Sequence, residues 1–128
     1  MQGNFFNNGV RLSMFTGANY TGRRLTFRRG GVAVRNLGVF RFNNVLTSFR
    51  LRNVLFPSAV TLVLFSRNNF QGSFRIFSGR TNVANLSRFN FNNVTSSFIL
   101  VGTRLTERQV LEIQRTGNLP CDMLDVTQ

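Results

Sequence analysis

Histidine, lysine and tryptophan are missing from this 128-residue chain, cysteine occurs once (Cys121), and proline only at 57 and 120. The four acidic residues, Glu107, Glu112, Asp122 and Asp125, all lie at the C-terminal end. Each absence removes a class of chemistry. Without histidine, no side chain titrates near neutral pH to act as a general base. Without a carboxylate in residues 1–101, paired-carboxylate hydrolysis has nothing to work with. Serine and threonine are plentiful but lack a base, and Cys121 lacks a histidine partner. The chain therefore reads as non-enzymatic. A lone cysteine excludes an internal disulfide framework. Cys121, after Pro120, is either a free thiol or half of an intermolecular disulfide. The longest apolar run, 59–65, is interrupted by Thr61 and far too short to span a bilayer. No basic segment followed by an apolar stretch opens the chain, so no signal peptide is expected and the cytoplasm of the producing cell is the default location.

What is present is equally uneven. All 16 basic residues are arginine, and the formal net charge is +12. Residues 1–101 hold 13 arginines and no acid, a formal +13, whereas residues 102–128 hold three arginines and four acids, a formal −1. Such a body could attract a polyanion non-specifically. Its arginines, however, are scattered over several segments without a nucleic-acid motif, and arginine suits protein–protein contacts equally well. Fifteen phenylalanines punctuated by asparagine and glycine, in a chain that is 42% hydrophobic, point to strands and tight turns around one core.

An internal repeat organises the chain. NLGVFRFNNVLTSF at 36–49 aligns with NLSRFNFNNVTSSF at 85–98, with nine of 14 positions identical. Upstream the offset is 50, pairing Leu12 with Leu62, Phe15 with Phe65, Asn19 with Asn69, Gly22 with Gly72 and Phe27 with Phe77. The organisation predicted is an N-terminal arm (1–8) that carries Phe5 and Phe6, a repeated domain (9–101, copies 9–55 and 56–101), and a tail (102–128). Each copy reads as four strands. The alternation of apolar and arginine residues predicts strands at 10–15, 24–28, 40–42 and 49–52, with arginines facing mostly outward. In the second copy the clearest strands are 59–65, 73–77 and 96–101. The tail differs: Thr106 with Gln109 forms a capping box, predicting a helix over 107–115 that Gly117 ends, with Leu105, Val110, Leu111 and Ile113 as its apolar face. That helix docks on its own domain or on a neighbouring subunit.

Each copy carries aromatic-x4-aromatic-x-Gly (Phe15, Tyr20, Gly22; Phe65, Phe70, Gly72) and later Asn-Asn-x-x-[Ser/Thr]-Ser (Asn43, Asn44, Thr47, Ser48; Asn92, Asn93, Ser96, Ser97). Glycine supplies a positive φ for a folded hairpin whose corner the aromatics fill, and the later serine can bond its backbone. Both motifs, in this order and in tandem, resemble the βγ-crystallin family, its microbial members in particular. The resemblance covers 9–101 and implies an all-β sandwich of two linked Greek keys, in which part of each repeat pairs with the sheet of the other.

The resemblance also implies two calcium sites built by the second motif. The candidate ligands are Asn43, Asn44, Thr47 and Ser48, and Asn92, Asn93, Ser96 and Ser97, joined by an oxygen from the other repeat. Elementary electrostatics weakens that expectation. Calcium takes six to eight oxygens and its affinity rises with ligand charge, yet every motif acid here is asparagine. Two unit charges about 8 Å apart still repel by about 2 kcal/mol at an effective dielectric of about 20. Calcium is thus expected to bind weakly or not at all. By resemblance and composition, the expected role is that of a self-assembling structural protein, a coat, matrix or inclusion, with a spore-forming bacterium as its setting. A calcium-stabilised module and a basic polyanion-binding module are the alternatives.

Overall fold

The computed structural model describes residues 9–119 and 123–126; the arm carrying Phe5 and Phe6, and Cys121, lie outside them. Two sheets face each other. The first has the order β2 (Thr21–Phe27), β1 (Val10–Gly17), β4 (Ser48–Asn53), β7 (Thr81–Val83). The second has the order β6 (Gln71–Ser78), β5 (Thr61–Arg67), β8 (Ser97–Val101), β3 (Val32–Val34), β9 (Leu124–Val126). The third strand of each repeat leaves its own sheet: β3 pairs with β8, and β7 with β4. This exchange makes the two Greek keys one all-β unit with one core.

Alternation sets which side chains form that core. On β1, Leu12 and Met14 point inward, opposite Leu51 and Phe49 of β4. From the second sheet Leu62, Leu64, Phe98 and Leu100 meet them, and Phe42 and Phe91 fill the ends. Packing is aromatic and edge-on, as the ring quadrupole favours: Phe49 and Phe77 lie 5.0 Å apart at 70°, and Phe27 and Phe98 lie 5.2 Å apart at 70°.

The two outer faces differ. On the second sheet Val63, Ile99 and Val101 also point away from the core, yet they are buried under α1 (Glu107–Thr116) and its approach, with Leu105, Val110 and Ile113. This explains the apolar run 62–65 within β5, a strand buried on both faces. The tail thus packs on its own domain. Asp125 of β9, parallel to β3, accepts from Arg35 Nε at 3.0 Å. The capping box forms in both directions, Thr106 N–H donating to Gln109 Oε1 (2.8 Å) and Gln109 N–H to Thr106 Oγ1 (3.2 Å). Gly117 (φ 76°) closes the helix. Leu111, read as part of the apolar face, is instead about half exposed, because a ten-residue helix lays only a narrow stripe on a flat sheet.

The strand expected at 40–42 is absent. Leu37–Phe40 is a 3-10 turn capped by Asn36, whose Oδ1 accepts from Gly38 N–H (2.7 Å), and Arg41 leaves it at φ 56°. Leu86–Phe89 repeats this with Asn85 and Asn90. The apolar residues at 40 and 42 bracket the turn exit and do not alternate along a strand. The true third strands, β3 and β7, are three residues each.

Candidate functional site

The folded hairpins come first, because they support the loops. In β1–β2, Asn19 and Tyr20 both adopt left-handed backbone (φ 57° and 61°), as do Asn69 and Phe70 (φ 59° and 61°) in β5–β6. An aromatic residue rarely sits there. The same hydroxyl holds each hairpin: Tyr20 N–H donates to Ser48 Oγ (3.0 Å), which donates to the Gly17 carbonyl (2.6 Å). Phe70 N–H, Ser97 Oγ and the Arg67 carbonyl repeat this at 3.0 and 2.6 Å. Gly22 and Gly72 (both φ 83°) have no room for a Cβ, which would run into the Thr16 and Ser66 hydroxyls. Phe15 with Tyr20 and Phe65 with Phe70 close the corners at 5.9 and 5.6 Å.

The two Asn-Asn loops meet at the boundary between repeats. Thr47 Oγ1 donates to Asn93 Oδ1 (3.1 Å), and Ser96 Oγ donates to Asn44 Oδ1 (3.1 Å). Backbone bonds run alongside, from Asn44 N–H to Thr95 O (2.9 Å) and from Asn93 N–H to Leu46 O (3.1 Å). Asn44 and Asn93 occupy the left-handed region (φ 58° and 59°), which asparagine tolerates. Of the eight candidate ligands, four are thus brought together in two cross-repeat pairs. Ser48 and Ser97 are buried and committed to the hairpins. Asn43 is exposed and makes no side-chain bond to a described residue. Asn92 turns inward, its Oδ1 buried without a partner.

The donors are hard oxygens contributed by both repeats, the kind calcium takes, but all are neutral. Each paired amide oxygen already accepts a hydrogen bond. A guanidinium also stacks on the phenylalanine that precedes each loop. Arg23 lies 5.2 Å from the Phe42 ring and donates to Arg41 O (2.6 Å); Arg75 lies 4.7 Å from the Phe91 ring and donates to Phe89 O (3.0 Å). These two arginines were not foreseen, and they occupy non-equivalent repeat positions, so the alignment gives no sign of them. Among the described residues no group of three or more His, Cys, Asp or Glu lies together, and no helix is long and apolar enough to cross a membrane.

The architecture has known counterparts, although neither protein-family models nor curated protein sequences match the chain. A βγ-crystallin from Ciona intestinalis superposes with TM-score 0.55 at 19% identity, covering 70% of this chain and 96% of that one. A βγ-crystallin domain from Clostridium beijerinckii gives 0.53 at 18%, covering 72% and 98%. An archaeal βγ-crystallin gives 0.57 at 15%, again covering 72% and 98%. The hairpins, the exchanged third strands and these superpositions agree: the chain has the βγ-crystallin fold, two Greek-key motifs in one sandwich with a helical tail docked upon it.

Proposed function

We infer that this protein is a non-enzymatic structural domain that associates with copies of itself into a coat or matrix, such as a spore coat or inclusion. The observation that carries this reading is the link between the repeats. Val54, Leu55 and Phe56 are 50, 59 and 58% exposed in succession. Buried Asn53 holds them in place, its Oδ1 accepting from the N–H of Leu55 (2.9 Å) and of Phe56 (3.0 Å), and its Nδ2 donating to Ala59 O (2.8 Å). A fixed tip of adjacent large apolar side chains is a contact surface, and a second copy with the same tip forms a self-complementary pair. Sedimentation velocity over a concentration series tests this. Association that Leu55→Ser/Phe56→Ser abolishes is the expected result; a monomer at every concentration and salt rejects it.

A second reading, calcium as a weak stabiliser, draws on the paired oxygens and on the unpartnered Asn92 Oδ1. Thr47 with Asn93, and Ser96 with Asn44, would hold the ion, in the affinity range of weak neutral sites. Binding to the folded state alone raises the melting temperature by mass action. Thermal unfolding with about 10 mM calcium, above the millimolar range of weak sites, against chelator decides it: no shift means that the loops serve hairpin and repeat geometry only.

A further inference from the structure

We propose that the outer face of the first sheet binds single-stranded nucleic acid, with its phosphates on arginines and an unpaired base on the Arg50–Tyr20 pair. The repeat itself draws attention to this face. On the second sheet the outward residues Val63, Phe74, Ile76, Ile99 and Val101 belong to the apolar cluster around the tail helix. By the repeat offsets, their counterparts are Ser13, Arg24, Thr26, Arg50 and Arg52. One sheet therefore carries a lid of its own chain, and its twin is an open, concave groove of about 620 Å³.

Arg11, Arg24, Arg28, Arg50, Arg52 and Arg80 line that groove, with no acidic residue among its walls. Arg11 and Arg52 stand directly opposite each other on β1 and β4. Like charges so placed destabilise a sheet. Arg24, Arg28, Arg52 and Arg80 make no side-chain hydrogen bond or ion pair with a described residue. Nor does an acid among the described residues reach it: Asp125 pairs with Arg35, Glu112 with Arg115, and Glu107 sits in the first turn of the helix. A bound polyanion would neutralise that charge.

Spacing and chemistry select the ligand. Side chains on one face recur about every 5 Å between strands and about every 7 Å along one, so a phosphate polymer laid along the face meets more of these guanidiniums at once than a small anion does. Arginine's fork matches phosphate oxygens in pairs. Arg50, itself exposed, lies with its guanidinium 4.1 Å over the Tyr20 ring at the end of the groove. Its outer face is a planar platform for an unpaired base. A sulfated polysaccharide or an acidic polypeptide brings charge but no base to fill it. The assembly proposed above is not required for this binding.

The test is fluorescence anisotropy with a labelled oligothymidylate over a salt series, together with intrinsic emission. Tyr20 is the one tyrosine and there is no tryptophan, so that emission reports the platform directly. Three to five phosphates engaged give a log–log salt slope between about −2 and −4, at about −0.7 per phosphate. Arg28→Gln/Arg52→Gln should flatten the slope by about 1.4, two phosphates' worth. Arg88→Gln/Arg104→Gln, which removes the same charge from exposed positions off the face, should leave it unchanged. Oligothymidylate should quench Tyr20, and heparin or polyglutamate should not. Arg50→Lys should keep the slope and lose the quenching. Equal losses in both double variants would overturn the proposal in favour of net charge alone, and equal quenching by heparin would overturn the choice of a base-bearing strand. If Arg28→Gln/Arg52→Gln does not fold, Arg24→Gln/Arg80→Gln carries the same expectation.

Discussion

Ser97 and Ser48 hold the hairpins through one hydroxyl each, which both accepts from an aromatic residue's N–H and donates to a carbonyl. Removing the hydroxyl from buried Ser97 strands the Phe70 N–H in a left-handed conformation that it does not otherwise favour. Ser97→Ala should therefore lower stability by about 1–3 kcal/mol, the cost of an unsatisfied buried donor, as read from urea unfolding. Thr95 is the opposite case. It takes the place of core Leu46 in the second repeat, is fully buried, and its Oγ1 has no partner. Thr95→Val keeps the shape and removes the orphan hydroxyl, so the same measurement should show a gain of about 1 kcal/mol. Both the glycine and the serine of the hairpin motif were legible in the sequence, because local backbone chemistry demands them. The pairing of Thr47 with Asn93 and of Ser96 with Asn44 was not. The partners are about fifty residues apart, and only the approach of the two repeats joins them.

At the level of elements, the tail helix was legible to within a residue, since a capping box and a terminal glycine are written next to one another in the chain. The three-residue strands β3, β7 and β9 were not. Three residues show no period, and what makes them strands is a partner from the other repeat or from the tail. The arginine face shows the same limit. Its residues look scattered along the sequence, but alternation turns Arg11 of β1, Arg24 of β2 and Arg50 and Arg52 of β4 to one side, where Arg28 and Arg80 join them from just outside β2 and β7. The helix is held mainly by Val110, Ile113 and Leu105 against Val63, Ile99 and Val101. Ile113→Ala should cost about 2–5 kcal/mol, as large-to-small changes in a core do. Because the sandwich core beneath β5 and β8 is separate, the helix should come free first. Limited proteolysis would then cut within residues 102–119 before it cuts the sheets, whereas simultaneous cleavage would show that tail and sandwich unfold as one.

For the whole molecule, charge matters most. A formal +12 on so small a chain repels itself in the compact state, and salt relieves that repulsion as the Debye length falls from about 30 Å at 0.01 M to about 3 Å at 1 M. The melting temperature should rise steeply with sodium chloride over that range; a flat response would show that the arginines are already neutralised within the fold. The same screening should favour association through the Val54–Phe56 tip while weakening any phosphate polymer on the arginine face, so salt separates the two surfaces experimentally. The exchange of third strands has a different consequence. Neither copy contains all the strands of the sheet that it begins, since β4 is completed by β7 and β8 by β3. A single copy made alone would be left with an unpaired edge and half a core. Its simplest remedy is to trade strands with a twin, giving a two-fold symmetric dimer of short chains. The offset repeat of this protein is what such a dimer becomes once its halves are joined end to end, with the symmetry axis now running through one polypeptide.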